Sequence, residues 1–274
     1  MKAKLALRVQ AFRSSQGRAP RLDLVLVGDD PGSHIYTRNK AEKAREIGIE
    51  SHIHRFPAVA PVDEVKGLVD RLNADSRVDG ILIQSPLPRH FPSKDVLGWV
   101  QPEKDVDGFH PLNVGSLQLG LPALAPCTPS GVMALLEHYR IPVAGKTACV
   151  IGRSSIVGRP MAALLLQSDA TVVQAHSRTP ELGALTRIAD IVVCAAGKTD
   201  LLGPADLKQG AVVVDVGIHR DPKGKVRGDA AFDAIVASGR ASAITPVPGG
   251  VGPMTIAFLF ENTMTAAERR LARV

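Results

Sequence analysis

The stretch Ala148 to Pro160, ACVIGRSSIVGRP, decides the fold. A run of small and β-branched apolar residues breaks at Gly152, and a segment compatible with a helix opens at Gly158. The order strand, tight turn, helix sets unpaired backbone N–H groups at a helix N-terminus, where they can meet a phosphate. The glycines stand at 152 and 158 rather than in the GxGxxG spacing, so this is a modified fingerprint, and on this stretch alone a plain βα turn stays open.

The next apolar run, Ala170 to Ala175, ends in His176-Ser177-Arg178. An acidic residue there would bind the ribose hydroxyls of NAD and repel a 2′-phosphate. Arg153, Ser177 and Arg178 instead offer guanidinium and hydroxyl donors that suit a phosphate, which favours NADP over NAD.

Around this stretch the chain reads as strands alternating with helices. After a short basic N-terminal helix come a strand at Leu22 to Val27, a turn at Gly28 to Gly32, and a helix from Ser33 to Ile47. Ser33 is the expected cap of that helix and Gly48 its stop. A strand at Glu50 to Phe56, a helix near Val62 to Asn73 and a strand at Gly80 to Gln84 complete a βαβαβ module, with loops at the strands' carboxyl ends available for chemistry. From Pro86 to Pro129 prolines and scattered charges replace periodicity, which predicts active-site loops and a linker. A helix then runs to about Tyr139 with Thr128 as cap and Pro129 at its first position. Strands follow near Thr147 to Ile151, Ala170 to Ala175, Ile191 to Ala195, Ala211 to Val216 and Ser242 to Thr245. A final helix, Pro253 to Arg273, is long enough to pack back on the first module.

The reading is α/β in two domains. Residues 1–125, completed by 253–274, form an N-terminal α/β domain, and 126–252 a Rossmann-like dinucleotide domain, with the active site in the interdomain cleft. Composition agrees: 274 residues with 25 glycines and 20 prolines but only 7 phenylalanines, 2 tyrosines and 1 tryptophan describe an aliphatic core with many turns. A net charge of +6 with interleaved signs and no aromatic series argues against nucleic acid and fits an anionic small substrate. Cys127, Cys149 and Cys194 are odd in number and widely spaced, which argues against a disulfide scaffold or a structural zinc site and for a reducing interior. With no long apolar segment, the expectation is a soluble cytoplasmic protein without a membrane partner.

Chemistry concentrates in the first module. Tyr36 and Lys40 share one face of the predicted helix, as a binding pair or as a structural tyrosine beside a solvated lysine. Gln84 ends an apolar strand immediately before Ser85-Pro86-Leu87-Pro88, where an amide has little reason to serve packing. In Lys104 to Phe109 the carboxylates of Asp105 and Asp107 lack further ligands for a metal. Asp107 suits a planar amidine-like edge, with a solvated turn as the alternative. Thr245 to Thr255, TPVPGGVGPMT, combines glycines that admit a close backbone approach with prolines that restrict it, as a cleft wall or as a rigid junction.

Together these segments resemble the bifunctional methylenetetrahydrofolate dehydrogenase/cyclohydrolase family. The resemblance rests on Tyr36 with Lys40, Ile83 to Pro88, Lys104 to His110, Pro126-Cys127-Thr128-Pro129, Gly152-Arg153-Ser154, Asp215-Val216-Gly217-Ile218 and Thr245 to Thr255, and it covers almost the whole chain. It implies NADP-linked oxidation of 5,10-methylenetetrahydrofolate to the 5,10-methenyl form, hydrolysis of that product to 10-formyltetrahydrofolate, and a cytoplasmic homodimer in one-carbon metabolism and purine biosynthesis. Carried over, Lys40 is the principal cyclohydrolase residue, Gln84 its partner, Tyr36 a folate-stacking and orienting group and Asp107 a pterin anchor. Gly249, Gly250 and Val251 border the folate. The dinucleotide falls on Gly152, Arg153, Ser154, Val157, Gly158, Ser177, Arg178, Gly217 and Ile218, and no metal is implied.

The chain departs from the family pattern in three places. Ser85 replaces the leucine of QLPLP, Ser116 stands where arginine often follows the NxG segment, and the opening strand and helix are shortened. A catalytically silent nucleotide-binding regulator is permitted by the Rossmann-like half but disfavoured by Lys40, Gln84 and Asp107 together. A monofunctional dehydrogenase is the nearer alternative. A formyltetrahydrofolate ligase would be expected to carry GxxxxGK[ST], which does not occur.

Overall fold

The computed structural model describes residues 1–92, 94–220, 224 and 226–271. The chain forms two compact units, one comprising Met1–Cys127 with the chain from Ile256 onward, the other Thr128–Thr255.

The first unit opens with α1 (Lys2–Gln16), ended by Gly17 in a left-handed conformation. It continues through β1 (Arg21–Val27), α2 (Pro31–Glu46), β2 (Glu50–Phe56), α3 (Val62–Ala74) and β3 (Gly80–Ile83). The three strands are parallel in the order β2-β1-β3, with Leu22 level with Ser51 and Gly80. Being central, β1 is buried on both faces. Leu22 and Leu24 join a cluster with Leu5, Val9 and Phe12 of α1, while Val25 and Val27 join Val65 and Val69 of α3.

The cap of α2 is a correction. Asp30, not Ser33, caps the helix: its carboxylate accepts the Ser33 N–H at 2.7 Å, and Pro31 takes the first helical position, where its missing N–H costs nothing. Between Pro86 and Pro129 the expected irregular stretch contains a helix, α4 (Pro111–Gln118), whose first turn is capped by the His110 ring accepting the Leu112 N–H.

The second unit contains most of α5 (Cys127–His138). Thr128 is already inside that helix and bonds Thr255 at 2.9 Å instead of capping. Then follow β4 (Thr147–Ile151), α6 (Gly158–Gln167), β5 (Thr171–Ala175), α7 (Leu182–Thr186), β6 (Ile191–Cys194) and β7 (Ala211–Asp215). An antiparallel strand pair, β8 (His219–Arg220) with β9 (Val226–Arg227), precedes α8 (Phe232–Ser238) and β10 (Ala241–Ile244). The five long strands form one parallel sheet, β10-β7-β6-β4-β5. Alternation along β4 splits the core: Cys149 and Ile151 pack with Val192 and Val213, whereas Ala148 and Val150 pack with Met161, Leu165 and Val193.

The last helix, α9 (Val251–Leu271), starts in the second unit. From Ile256 it belongs to the first, where Leu259, Phe260 and Met264 close the cluster around Leu5 and Val9. Residues 272 and 273, the end of the helix expected from the sequence, lie outside the described residues.

Candidate active site

In the first unit the parallel sheet brings the start of α2 and the end of β3 to the same edge. The backbone N–H of Gln84 donates to Val25 O at 2.8 Å, which continues the β1–β3 pairing one residue beyond the strand. The Gln84 side chain is thereby held at the sheet's carboxyl end, and Lys40 Nζ donates to its Oε1 at 2.9 Å. Gln84 Nε2 in turn donates to Ser85 O at 2.6 Å, so the amide is fixed from both ends. Tyr36 lies one turn before Lys40 on α2, is 43% exposed, and its hydroxyl has no partner among the described residues.

The two carboxylates of the Lys104 to Phe109 segment have different tasks. Asp105 is buried and structural: it accepts N–H groups from Gly108 and His110, the latter at 2.7 Å, and the side-chain amide of Asn113 at 2.9 Å. Asp107 is half-buried and its carboxylate has no hydrogen-bond partner among the described residues. Burial pushes its pKa up to about 6, against the pull of the Lys40 charge, and Asp105 adds a smaller push in the same direction as burial. The adjoining cavity, about 250 Å³, is walled by apolar groups including Ile81, Ile83, Leu87, Val100 and Phe109. An apolar slot with one unsatisfied carboxylate suits a flat heterocycle that presents N–H donors on one edge. A larger recess of about 340 Å³, lined by Arg38, Arg45 and Arg55, occupies a different face of α2 from Tyr36 and Lys40, and none of the candidate residues lines it.

The support for Asp107 escaped the sequence reading. Asn262 of α9 donates to Val106 O and Ala125 O, both at 2.9 Å, and the Cys127 thiol donates to Val106 O at 3.2 Å. These contacts clamp the residue before Asp107. Burial drives the Cys127 thiol well above its ordinary pKa, so it serves as packing and not as a nucleophile. Asn262 is far from Val106 in sequence, and no local pattern links them. Asp105 was visible but, read along the chain, indistinguishable in role from Asp107.

In the second unit Gly152 follows β4 with φ +134°, and its N–H donates to Ala175 O at 2.9 Å. A Cβ on Gly152 would strike the Ala195 carbonyl, and one on Gly158 would strike Gly152 O, so both glycines allow backbones to touch. Ser154 Oγ accepts the N–H groups of Val157 and Gly158, at 3.1 and 3.2 Å, fixing the entry to α6. Ile151 pairs with Ala175, so Arg153 and Ser177 each stand two residues beyond a paired position on neighbouring strands. Arg153, Ser177 and Arg178 are exposed, and neither guanidinium has a partner among the described residues. Gly217 is buried beyond β7, and Ile218 is 54% exposed. Gly249, with φ +105°, Gly250 and Val251 lead into α9 in this same unit.

Residues 1–107 match the family model described as tetrahydrofolate dehydrogenase/cyclohydrolase, catalytic domain, and residues 126–271 match the corresponding NAD(P)-binding domain. The bifunctional protein FolD of Bdellovibrio bacteriovorus is 50% identical over 271 residues, covering 98% of this chain and 93% of that protein. The crystal structure of the bifunctional enzyme FolD from Campylobacter jejuni superposes with a TM-score of 0.95 at 47% identity, covering 98% of this chain and 95% of that one. That of the Trypanosoma brucei enzyme, complexed with NADP and an inhibitor, gives a TM-score of 0.93 at 37% identity, covering 98% and 94%.

Proposed function

Because the chain belongs to the tetrahydrofolate dehydrogenase/cyclohydrolase family, we propose that the geometry around Lys40 and Gly152 carries both of that family's reactions. The protein is a bifunctional enzyme that oxidises 5,10-methylenetetrahydrofolate with NADP and hydrolyses the 5,10-methenyl product to 10-formyltetrahydrofolate. The observation that carries the residue assignment is the Lys40–Gln84 hydrogen bond beside the unpartnered Asp107 carboxylate.

Oxidation makes the folate bridge cationic, and a neighbouring nitrogen lone pair shares that charge as hydride departs. The step therefore needs alignment more than a strong base. Asp107 supplies alignment by accepting the donor edge of the pterin, and Tyr36 by lying against it. NADP, when bound, supplies the hydride acceptor. Gly152, Arg153, Ser154, Val157, Gly158, Ser177, Arg178, Gly217 and Ile218 hold it, with Arg153 and Arg178 toward the 2′-phosphate. Gly249, Gly250 and Val251 form a further boundary of the folate.

Hydrolysis begins with water adding to the electrophilic bridging carbon. The attacking water loses one proton to leave a hydroxyl on that carbon. The bond from the carbon to N5 then breaks as N5 gains a proton and the hydroxyl loses its own to become the formyl oxygen, one proton being released overall. Lys40 moves these protons, accepting as the free amine and donating as ammonium. Its bond to Gln84 Oε1 commits one N–H to the amide, so the remaining positions on Nζ are directed elsewhere, toward the reacting water.

The reading extends to a homodimer in the cytoplasm serving purine biosynthesis, which rests on the family resemblance. Among the described residues no helix is long and apolar enough to cross a membrane. Following dinucleotide reduction and methenyl-folate hydrolysis in one purified sample, with NADP and NAD compared, tests the assignment. Both activities are expected, with NADP preferred, and loss of either from the unsubstituted protein would refute it. Size-exclusion chromatography with light scattering tests the dimer.

A further inference from the structure

Behind the glycines of the second unit lies a pair of buried carboxylates that the two reactions do not use. Asp229 is fully buried, and its Oδ2 accepts the N–H groups of Ala196 and Gly197 at 2.7 and 3.1 Å. Its Oδ1 accepts the Lys198 N–H at 3.0 Å and a donor hydrogen from His219 Nε2 at 2.6 Å. Asp215, at the end of β7, accepts the N–H groups of Gly217, Asp229 and Ala230. Two side chains thus fix six backbone N–H groups from the loop after β6, the loop after β7 and the approach to α8.

Two of the three cofactor glycines, Gly152 and Gly217, rest on this cluster. A Cβ on Gly152 would strike the Ala195 carbonyl, which immediately precedes the N–H groups that Asp229 collects. A Cβ on Gly217 would strike the Asp229 carboxylate itself, and one on Gly228 the Asp215 carboxylate. Backbone, carboxylate and glycine are packed without room for adjustment, so the loops cannot shift while the carboxylates stay.

We infer that Asp229 is a positioning residue of the dinucleotide site: it sets the loop after β6 against Gly152 and the loop after β7 at Gly217. The inference rests on the assignment of NADP to these glycines. Converting Asp229 to asparagine places an amide against N–H groups that need acceptors, which displaces the loops while keeping side-chain size. His219 contributes one donor that holds the Asp229 carboxylate in its orientation, so its removal loosens the backbone contacts of Asp229 without abolishing them.

The test is steady-state kinetics on Asp229→Asn and His219→Ala, with dinucleotide reduction and methenyl-folate hydrolysis measured on the same samples. The Asp229→Asn protein is expected to raise the KM for NADP by about tenfold or more and to keep the KM for methylene-folate and the rate of hydrolysis within about twofold. His219→Ala is expected to raise the NADP KM by about threefold with hydrolysis unchanged. An unchanged NADP KM in a folded Asp229→Asn protein overturns the inference. If Asp229→Asn does not fold, an unchanged NADP KM in His219→Ala overturns it. Equal losses in both activities also overturn it, since they indicate a structural role only. An unsubstituted protein that reduces no dinucleotide would instead refute the underlying assignment.

Discussion

Lys40 and Gln84 meet through a 2.9 Å hydrogen bond that joins the middle of α2 to the residue just past β3. The amide is itself tied to Ser85 O and its backbone to Val25 O, so the lysine is oriented by a group that cannot rotate freely. Orientation of this kind matters most for a proton transfer, where the amine must lie within hydrogen-bond reach of the attacking water.

Gln84→Ala removes that orientation and leaves Lys40 in place. Methenyl-folate hydrolysis is expected to fall by about tenfold or more while NADP reduction falls less. Stopped-flow loss of the methenyl chromophore, measured beside dinucleotide reduction, checks the ratio.

The Asp107 carboxyl, raised by burial to about 6, gives the folate site its own pH dependence. As an acceptor for the pterin edge it must be ionised, so the KM for methylene-folate rises as pH falls through about 6 and is flat above about 7. The stability effect has the opposite sense. A carboxyl whose folded pKa is raised binds its proton more tightly when folded, so ionisation above about 6 costs stability that protonation restores. Asp107→Asn should therefore raise Tm at pH 7, impair folate use in both reactions and abolish the acid limb of the KM profile. A profile unchanged by the substitution would remove Asp107 from the folate contacts.

Arg153 stands exposed beyond β4 and unpaired among the described residues, on the strand next to the one that presents Ser177. Arg153→Ala should raise the KM for NADP by about tenfold and leave that for NAD nearly unchanged, because only the 2′-phosphate loses a charge-assisted bond. A preference for NAD in the unsubstituted protein, unaltered by the substitution, would contradict the assignment.

Gly152 combines φ +134° with contact against the Ala195 carbonyl. Gly152→Ala should abolish dinucleotide use, and methenyl-folate hydrolysis should persist because Lys40, Gln84 and Asp107 lie in the first unit. Parallel assays of the two activities on this variant check the separation.

The strands were legible because parallel, doubly buried strands appear as short apolar runs between glycines and prolines. Thr147 to Ile151 is such a run and comes out at its observed limits, as does the edge strand Glu50 to Phe56, which is only partly buried. The helix Pro111–Gln118 was not, since it is short, contains Gly115, and is held by contacts outside itself, including Asn113 to Asp105. The cap of α2 went to Ser33 because a serine before a periodic run is a good signal, yet Asp30 followed by Pro31 is a better one. Lys40, Gln84 and Asp107 stood out as polar residues in places where packing gives no reason for them. Asp229, Asn262 and the structural role of Asp105 did not, because each acts through backbone groups that only the folded chain brings within reach.

The central claim is that Lys40 carries the hydrolysis and not the oxidation. The most direct measurement is NADP reduction and methenyl-folate hydrolysis by one purified Lys40→Met sample. The account predicts hydrolysis reduced by about a hundredfold or more with dinucleotide reduction still measurable and the NADP KM unchanged. Near-normal hydrolysis in that sample would contradict it.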